Sequence, residues 1–260
     1  MSSPKILLLD IGNTRIKWGI FFKNEIVETG SLLISEAEGS GFSSLVKLIP
    51  KDINKALASN VSSIKTSTRL SAAIGASCGC EIEFINKGFR SYGISTKYSK
   101  PRQLGIDRWM AMIGARSEFN GEIAIIDAGT AVTIDFVNKK GVHIGGQILP
   151  GLHLMLKALN NSTRNISTSD VTEDILQHEI ELWAKDTTSA VISGAYNALC
   201  GAIIRSISDL RKTGFKPKVI LTGGDARFLM NFLDKSYLFR PNLVLNGLAL
   251  IAREGNYRTL

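Results

Sequence analysis

The sequence predicts an α/β fold built twice, with a mixed sheet in each half. The strongest sign is an Ile-rich run, Ile123-Ala-Ile-Ile126, that leads into Asp127-Ala-Gly-Thr130 and then the alternating run Ala131-Val-Thr-Ile-Asp-Phe-Val137. This reads as a buried strand, a tight turn and a half-buried strand. The same arrangement opens the chain, as Lys5-Ile-Leu-Leu-Leu9, Asp10-Ile-Gly-Asn-Thr14 and Ile16-Lys-Trp-Gly-Ile-Phe21. A single Asp-x-Gly is ordinary turn composition. Two in the same strand context, one opening each half, indicate a duplication. Each is followed by a third strand, then helix, strand and helix. The predicted division is residues 1–118 and 119–260, with the cleft between two such halves as the expected ligand site.

In the first half, strands are expected at Lys5–Leu9 and Ile16–Phe22, with a hairpin turn at Lys23-Asn24-Glu25 leading to a third strand at Ile26–Thr29. Phe42, Leu45, Val46, Leu48 and Ile49 suggest a helix over 35–49. A small-residue strand follows at Lys55–Val61, a helix at Thr66–Ile74 and a strand at Glu81–Ile85. Gly88, Gly93, Pro101 and Gly105 mark 86–105 as loop. A helix then begins at Gly105-Ile-Asp-Arg108 and runs to Arg116, with Asp107 where an acid is stabilised by free amides.

The second half repeats the plan with strands over 123–127 and 131–137, a turn at Asn138-Lys-Lys-Gly141 and a strand over 142–148. A helix is expected over Leu152–Leu159, a polar loop over 160–174 and a long packed helix over Ser189–Lys212. Then come the strand Lys218–Thr222, the turn Gly223-Gly224-Asp225 and a helix over Ala226–Leu233. A last short strand at Leu243–Leu245 and a closing helix over Asn246–Glu254 complete the prediction.

A chain of 260 residues, 44% hydrophobic and 21% charged, can bury a sizeable core. Its charge of +8 is scattered, and the nearest thing to a patch is Lys97, Lys100 and Arg102 with Arg108 beyond. Beside an active site such a patch suits anionic substrates, so no specific nucleic acid is expected. Cys78, Cys80 and Cys200 are too few for a disulfide framework, and with His143, His153 and His178 they make no zinc spacing. With no signal pattern and no apolar stretch near the roughly 20 residues that span a bilayer, the chain is expected to be cytoplasmic and away from membranes.

The two turns suit phosphoryl transfer, which needs held phosphates, neutralised charge and an oriented nucleophile. Asp10 can hold magnesium, directly or through water. The amides from Gly12 to Thr14, with Lys17 behind them, can cradle terminal phosphates, and Asp127 can hold a cation beside the second turn. Gly129 and Gly223-Gly224 allow a ligand close to bare backbone. Asp107 is the best general base, and Arg108 can clamp a carboxylate. Each residue also has an ordinary structural reading. Asp107 and Thr187 suit helix N-termini, Tyr98 suits a loop anchor, and Lys17 and Arg108 are types usually found on surfaces.

The segments Asp10-Ile-Gly-Asn-Thr-Arg-Ile-Lys17, Gly105-Ile-Asp-Arg108, Asp127-Ala-Gly-Thr-Ala-Val-Thr133, Gly145-Gly-Gln-Ile-Leu-Pro-Gly151 and Thr222-Gly-Gly224 resemble the type III pantothenate kinases. These belong to the acetate-kinase, sugar-kinase, heat-shock-70 and actin superfamily. The resemblance covers nearly the whole chain, in order. The pairing of Asp-x-Gly-Asn-Thr with Gly-x-Asp-Arg is specific to the family, whereas Asp-x-Gly-Thr alone marks the superfamily. The resemblance implies duplicated actin-like (ribonuclease H-like) domains and ATP-dependent phosphorylation of pantothenate to 4′-phosphopantothenate, the first step of coenzyme A synthesis.

By the same resemblance, ATP binding falls to Asp10, Ile11, Gly12, Asn13, Thr14, Arg15, Ile16 and Lys17, and to Thr130. Asp107 corresponds to the proton acceptor. Tyr98, Gly105, Ile106, Asp107, Arg108 and Thr187 correspond to pantothenate-binding positions. Asp127 corresponds to the ligand of a monovalent cation, potassium or ammonium, and magnesium is also implied. So is a homodimer with sites near the subunit interface. The sequence departs from the family pattern at Asp186, where Asn is frequent, and at Ala128, where a bulkier apolar residue is common. A superfamily kinase for a sugar or short hydroxy acid is the alternative among enzymes, and Gly105–Arg108 argues against it. A regulatory or nucleic-acid-binding homologue without activity is the alternative outside them, with the positive charge as its support.

Overall fold

A computed structural model describes residues 3–86, 92–162 and 183–254. Contacts group the chain into two compact units, Met1–Asn120 with Asn242–Leu260, and Gly121–Pro241.

In the first unit, β1 (Ile6–Ile11) is buried on both faces, as its unbroken apolar run requires. It pairs antiparallel with β2 (Arg15–Phe22), which pairs antiparallel with β3 (Glu25–Leu33). Lys23 and Asn24, at φ +49° and +69°, make the tight turn between β2 and β3. The helix expected over 35–49 is two helices, α1 (Ile34–Gly39) and α2 (Ser43–Leu48). Gly41 and Phe42 break it, both left-handed at φ +63° and +68°, and the fully buried Phe42 ring anchors the break. Next come β4 (Lys55–Asn60), α3 (Ile64–Cys78) and β5 (Ile82–Phe84). Helix α3 is capped by Ser63, whose hydroxyl accepts from the Thr66 amide at 3.1 Å. The short β6 (Ser95–Thr96), a 3-10 turn at Pro101–Gln103 and α4 (Ile106–Glu118) complete this stretch. The sheet order is β3-β2-β1-β4-β5, with β4 parallel to both β1 and β5.

The second unit contains β7 (Ile123–Ala128), β8 (Ala131–Val137), β9 (Val142–Pro150), α5 (Leu152–Ser162), α6 (Thr187–Lys212), β10 (Lys218–Thr222), α7 (Ala226–Met230) and β11 (Leu238–Phe239). Its strands run β9-β8-β7-β10-β11, the same order and the same directions as in the first unit. The predicted duplication is therefore present strand for strand. Among the described residues one helix, α6, is long and apolar enough to cross a bilayer. Its Ile192, Tyr196, Leu199, Ile203 and Ile207 are core residues of this unit. His143 is fully buried on β9, with Nε2 2.9 Å from Oδ1 of the buried Asp135. Most of the polar loop expected over 160–174 lies outside the described residues.

The chain ends on α8 (Leu243–Glu254), which packs on α4 and on β1, β2 and β4. Residues 119–260 were expected to form one half, yet α8 groups with the first unit. Two glycines let it dock. A Cβ at Gly114 would run into the Leu243 carbonyl oxygen, and one at Gly247 into that of Met110. Leu243–Leu245, expected as a strand, is the first turn of α8. Asn246-Gly247 reads as a breaker in sequence, but Gly247 is there for the close approach of two helices. The last strand is β11, too short to show a period of two.

Candidate active site

Strand pairing sets the first cluster. Asp10 on β1 is registered with Lys17 on β2 and with Ser59 on β4. Paired residues share a face, so Lys17, Asp10 and Ser59 form one row across three strands. The alternate residues Leu9, Ile11, Ile16, Trp18 and Ala58 belong to the core beneath α1, α2 and α3. The row therefore lies on the opposite face, the one that meets α8, where Leu245 lies against Gly19.

Between the two strands, the Gly12 amide donates to the Arg15 carbonyl at 3.1 Å and closes the turn. The Thr14 carbonyl accepts from Ile34 at 2.8 Å, tying the turn to α1. Asn13 and Thr14 are exposed at its tip, while Gly12, Arg15 and Lys17 are half-buried. Ile11 and Ile16 are fully buried in the core, so only their backbone is available to a ligand.

The start of α4 sets the second cluster in the same unit. Gly105 is the N-cap and supplies no side-chain cap. Asp107, in the first turn, accepts the Arg108 amide on Oδ1 at 2.8 Å. Its carboxylate overhangs Gly105 so closely that a Cβ there would meet Oδ1. Arg108 is not the surface charge its residue type suggests. It is 6% exposed, its guanidinium lies 5.8 Å from the Tyr98 ring centroid, and it donates to the Tyr98 hydroxyl at 3.2 Å. Tyr98 is held in turn by its own amide, which donates to the Thr96 hydroxyl at 3.1 Å. Ile106 is buried. Tyr98, Arg108 and Asp107 thus form one braced group.

The second unit repeats the row. Asp127 on β7 is registered with Thr133 on β8 and with Thr222 on β10. The turn after Asp127 is backed by other backbone. Gly151 donates to the Thr130 carbonyl at 3.0 Å, and Asp225 donates to that of Ala128 at 3.0 Å. A Cβ on Gly151 would meet the Gly129 oxygen, and one on Gly223, at φ +98°, the Ala128 oxygen. Gly223 is thus occupied in packing, and Gly224 is the residue with open space beside it. Thr130 is exposed and Asp127 half-buried.

Thr187 is the exposed first residue of α6 and is not its cap. The cap is Asp186, whose carboxylate accepts the Ser189 amide at 2.9 Å. That backbone bond, with a second from the Ser189 hydroxyl, holds the Asp186 carboxyl below its ordinary value. Asn and Asp cap equally well, which accounts for the departure at this position.

Among the described residues no three His, Cys, Asp or Glu side chains gather as a metal cluster. A single carboxylate per row suits a cation held mostly by phosphate and water, as magnesium prefers. The register explains why sequence reading passed over Ser59 and did not link Thr222 to Asp127: a parallel partner distant in sequence leaves no local signal.

The sequence profile of the type III pantothenate kinase family matches residues 6–209. A type III pantothenate kinase of Nitrosococcus oceani is 33% identical over 261 residues, covering 96% of this chain and 94% of that protein. Among solved structures, a conserved Baf family protein from Campylobacter jejuni matches with a TM-score of 0.60 at 21% identity, over 96% of this chain and 98% of that one. The activator of the 2-hydroxyisocaproyl-CoA dehydratase from Clostridium difficile, solved with ADPNP bound, matches with a TM-score of 0.52 at 14% identity, over 96% and 95%. At these identities the structural likeness is one of fold, an α/β architecture with mixed sheets. Matched through both Asp-x-Gly turns and the start of α4, and along nearly all of a curated relative, the chain belongs to the type III pantothenate kinase family.

Proposed function

We propose that this chain phosphorylates pantothenate with ATP to give 4′-phosphopantothenate, the first step of coenzyme A biosynthesis. The observation that carries the reading is the family match over residues 6–209, which takes in both Asp-x-Gly turns and Gly105–Arg108. Asp107 is the general base. It accepts the proton of the pantothenate hydroxyl as the phosphoryl group arrives. Its bond from the Arg108 amide fixes the carboxylate before substrate binds. The Arg108 guanidinium clamps the pantothenate carboxylate, pre-oriented by Tyr98. Gly105 and Ile106 shape the same stretch, and Thr187 offers pantothenate a hydroxyl.

ATP phosphates lie against the amides of Gly12, Asn13 and Thr14, with the charges of Lys17 and Arg15 beside them. Thr130 binds ATP from the second turn. Magnesium, when bound, neutralises charge on the phosphates. Asp10 would hold it through water, the undersized acidic set being consistent with that. Asp127, in register with the hydroxyl residues Thr133 and Thr222 on the same face of the sheet, would hold a potassium or ammonium ion.

The reading extends to a cytoplasmic homodimer. Ile148 on β9, Leu154 and Leu159 on α5 and Ile204 on α6 are exposed apolar residues of one unit. A 2.8 Å hydrogen bond from Ser206 to Gln147 joins α6 to β9 among them. Sedimentation should give twice the chain mass, and a monomer would remove this part. The free thiols suit a reducing compartment, and recovery of the protein from the membrane fraction would argue against it. The main test is ADP release from purified protein with ATP and magnesium. Release should depend on pantothenate; release without it, or none with it, would overturn the reading.

A further inference from the structure

We infer that Ser59 is a positioning residue for the Asp10 carboxylate, used when the magnesium–nucleotide complex binds. The inference rests on the assignment of Asp10 to magnesium made above. Ser59 is 1% exposed, and its Oγ is buried without a hydrogen-bond partner. A buried orphan hydroxyl is unfavourable, and each such group in a native structure calls for an explanation. Leu57, the neighbour of Ser59 on the same face of β4, is fully buried and wholly apolar, so burial on this face does not of itself call for a hydroxyl.

Register supplies the explanation. Ser59 is paired with Asp10 in the parallel β1–β4 ladder, so the two side chains share a face on strands about 4.8 Å apart. A carboxylate that lends one oxygen to a hydrated cation works best with the other fixed by a neighbouring donor. Ser59 is a hydroxyl in place for that. The duplication gives independent support. In the second unit the residue paired with Asp127 in the equivalent ladder is Thr222, again a buried hydroxyl. Thr222 already has a protein partner, donating to the Pro241 carbonyl at 3.4 Å, whereas Ser59 has none. One row has its hydroxyl committed to backbone, and the other has it in reserve.

The test is thermal unfolding of Ser59→Ala, Asp10→Asn and unaltered protein, with magnesium titrated at fixed ATP and no pantothenate. Removing an orphan hydroxyl should leave the Tm of the ligand-free Ser59→Ala protein unchanged or slightly higher. The magnesium needed for half of the ATP-dependent Tm shift should rise about tenfold, the size of one hydrogen bond to a charged group. The pantothenate KM should not move. An unchanged magnesium requirement in Ser59→Ala, with a raised one in Asp10→Asn, would overturn the role of Ser59 and leave Asp10 standing. A lower Tm of the free Ser59→Ala protein with no change in magnesium requirement would make Ser59 structural. No change in Asp10→Asn would remove the Asp10 assignment, and the inference with it.

Discussion

In the proposed function, Asp107 satisfies a helix and a reaction from one position. An acid in the first turn is favoured by the free amides there, and Oδ1 does take the Arg108 amide. That bond also fixes the carboxylate over Gly105, where a Cβ would meet it. Gly105 therefore leaves room for the Asp107 carboxylate and, in the proposed function, restrains the base. Gly105→Ala should displace the carboxylate and lower kcat about 10- to 100-fold, as small misplacements of reacting groups do. Loss of a glycine N-cap should cost only about 1 kcal/mol of stability. Steady-state kinetics beside a melting curve checks both, and an unchanged kcat would show that Gly105 does not hold the base. The residue types of the candidate site were legible in the sequence, Asp107 and Arg108 included. The burial of Arg108 against Tyr98 was not, because it depends on a loop returning to the start of α4.

At the scale of elements, the sequence showed the strands well wherever an apolar run ended in a polar turn. The hairpin at Lys23-Asn24 and the turn at Gly223 are cases. It misled where a tertiary contact overrode a local signal. Phe42 adopts a left-handed conformation to fill the core, splitting one expected helix into α1 and α2. Asn246-Gly247 looks like a break and lies inside α8, because α4 and α8 touch backbone to backbone at Gly114 and Gly247. Gly247→Ala should cost about 1–3 kcal/mol through overpacking, although alanine is the better helix former. Denaturant unfolding should show a lower midpoint at unchanged m. A midpoint equal to or above that of the unaltered protein would mean the helices are free to separate.

Over the whole molecule, duplication was the most legible feature, since it repeats the same pattern of strand, turn and strand. The strand order β3-β2-β1-β4-β5 and its counterpart β9-β8-β7-β10-β11 follow from it. The grouping of α8 with the first unit does not, because no local pattern says which core a terminal helix joins. Duplication also gives the two rows different neighbours, Lys17 beside Asp10 and Thr133 beside Asp127, which is what the two tasks proposed above would need. A positive side chain suits phosphate, and neutral oxygens suit a cation. Asp127→Ala should accordingly weaken potassium activation and leave the fold intact. Turnover with potassium replaced by sodium measures this, and potassium activation equal to that of the unaltered protein would move the cation elsewhere.

The most direct measurement is turnover of Asp107→Asn with saturating ATP, magnesium, potassium and pantothenate, alongside ATP binding by the same protein. Asparagine keeps the shape and loses the base. Pantothenate-dependent turnover should fall about 10²- to 10⁴-fold with ATP affinity unchanged. Turnover at the rate of the unaltered protein would contradict the assignment, leaving Asp107 as a helix-terminal acid and the phosphoryl transfer without its base.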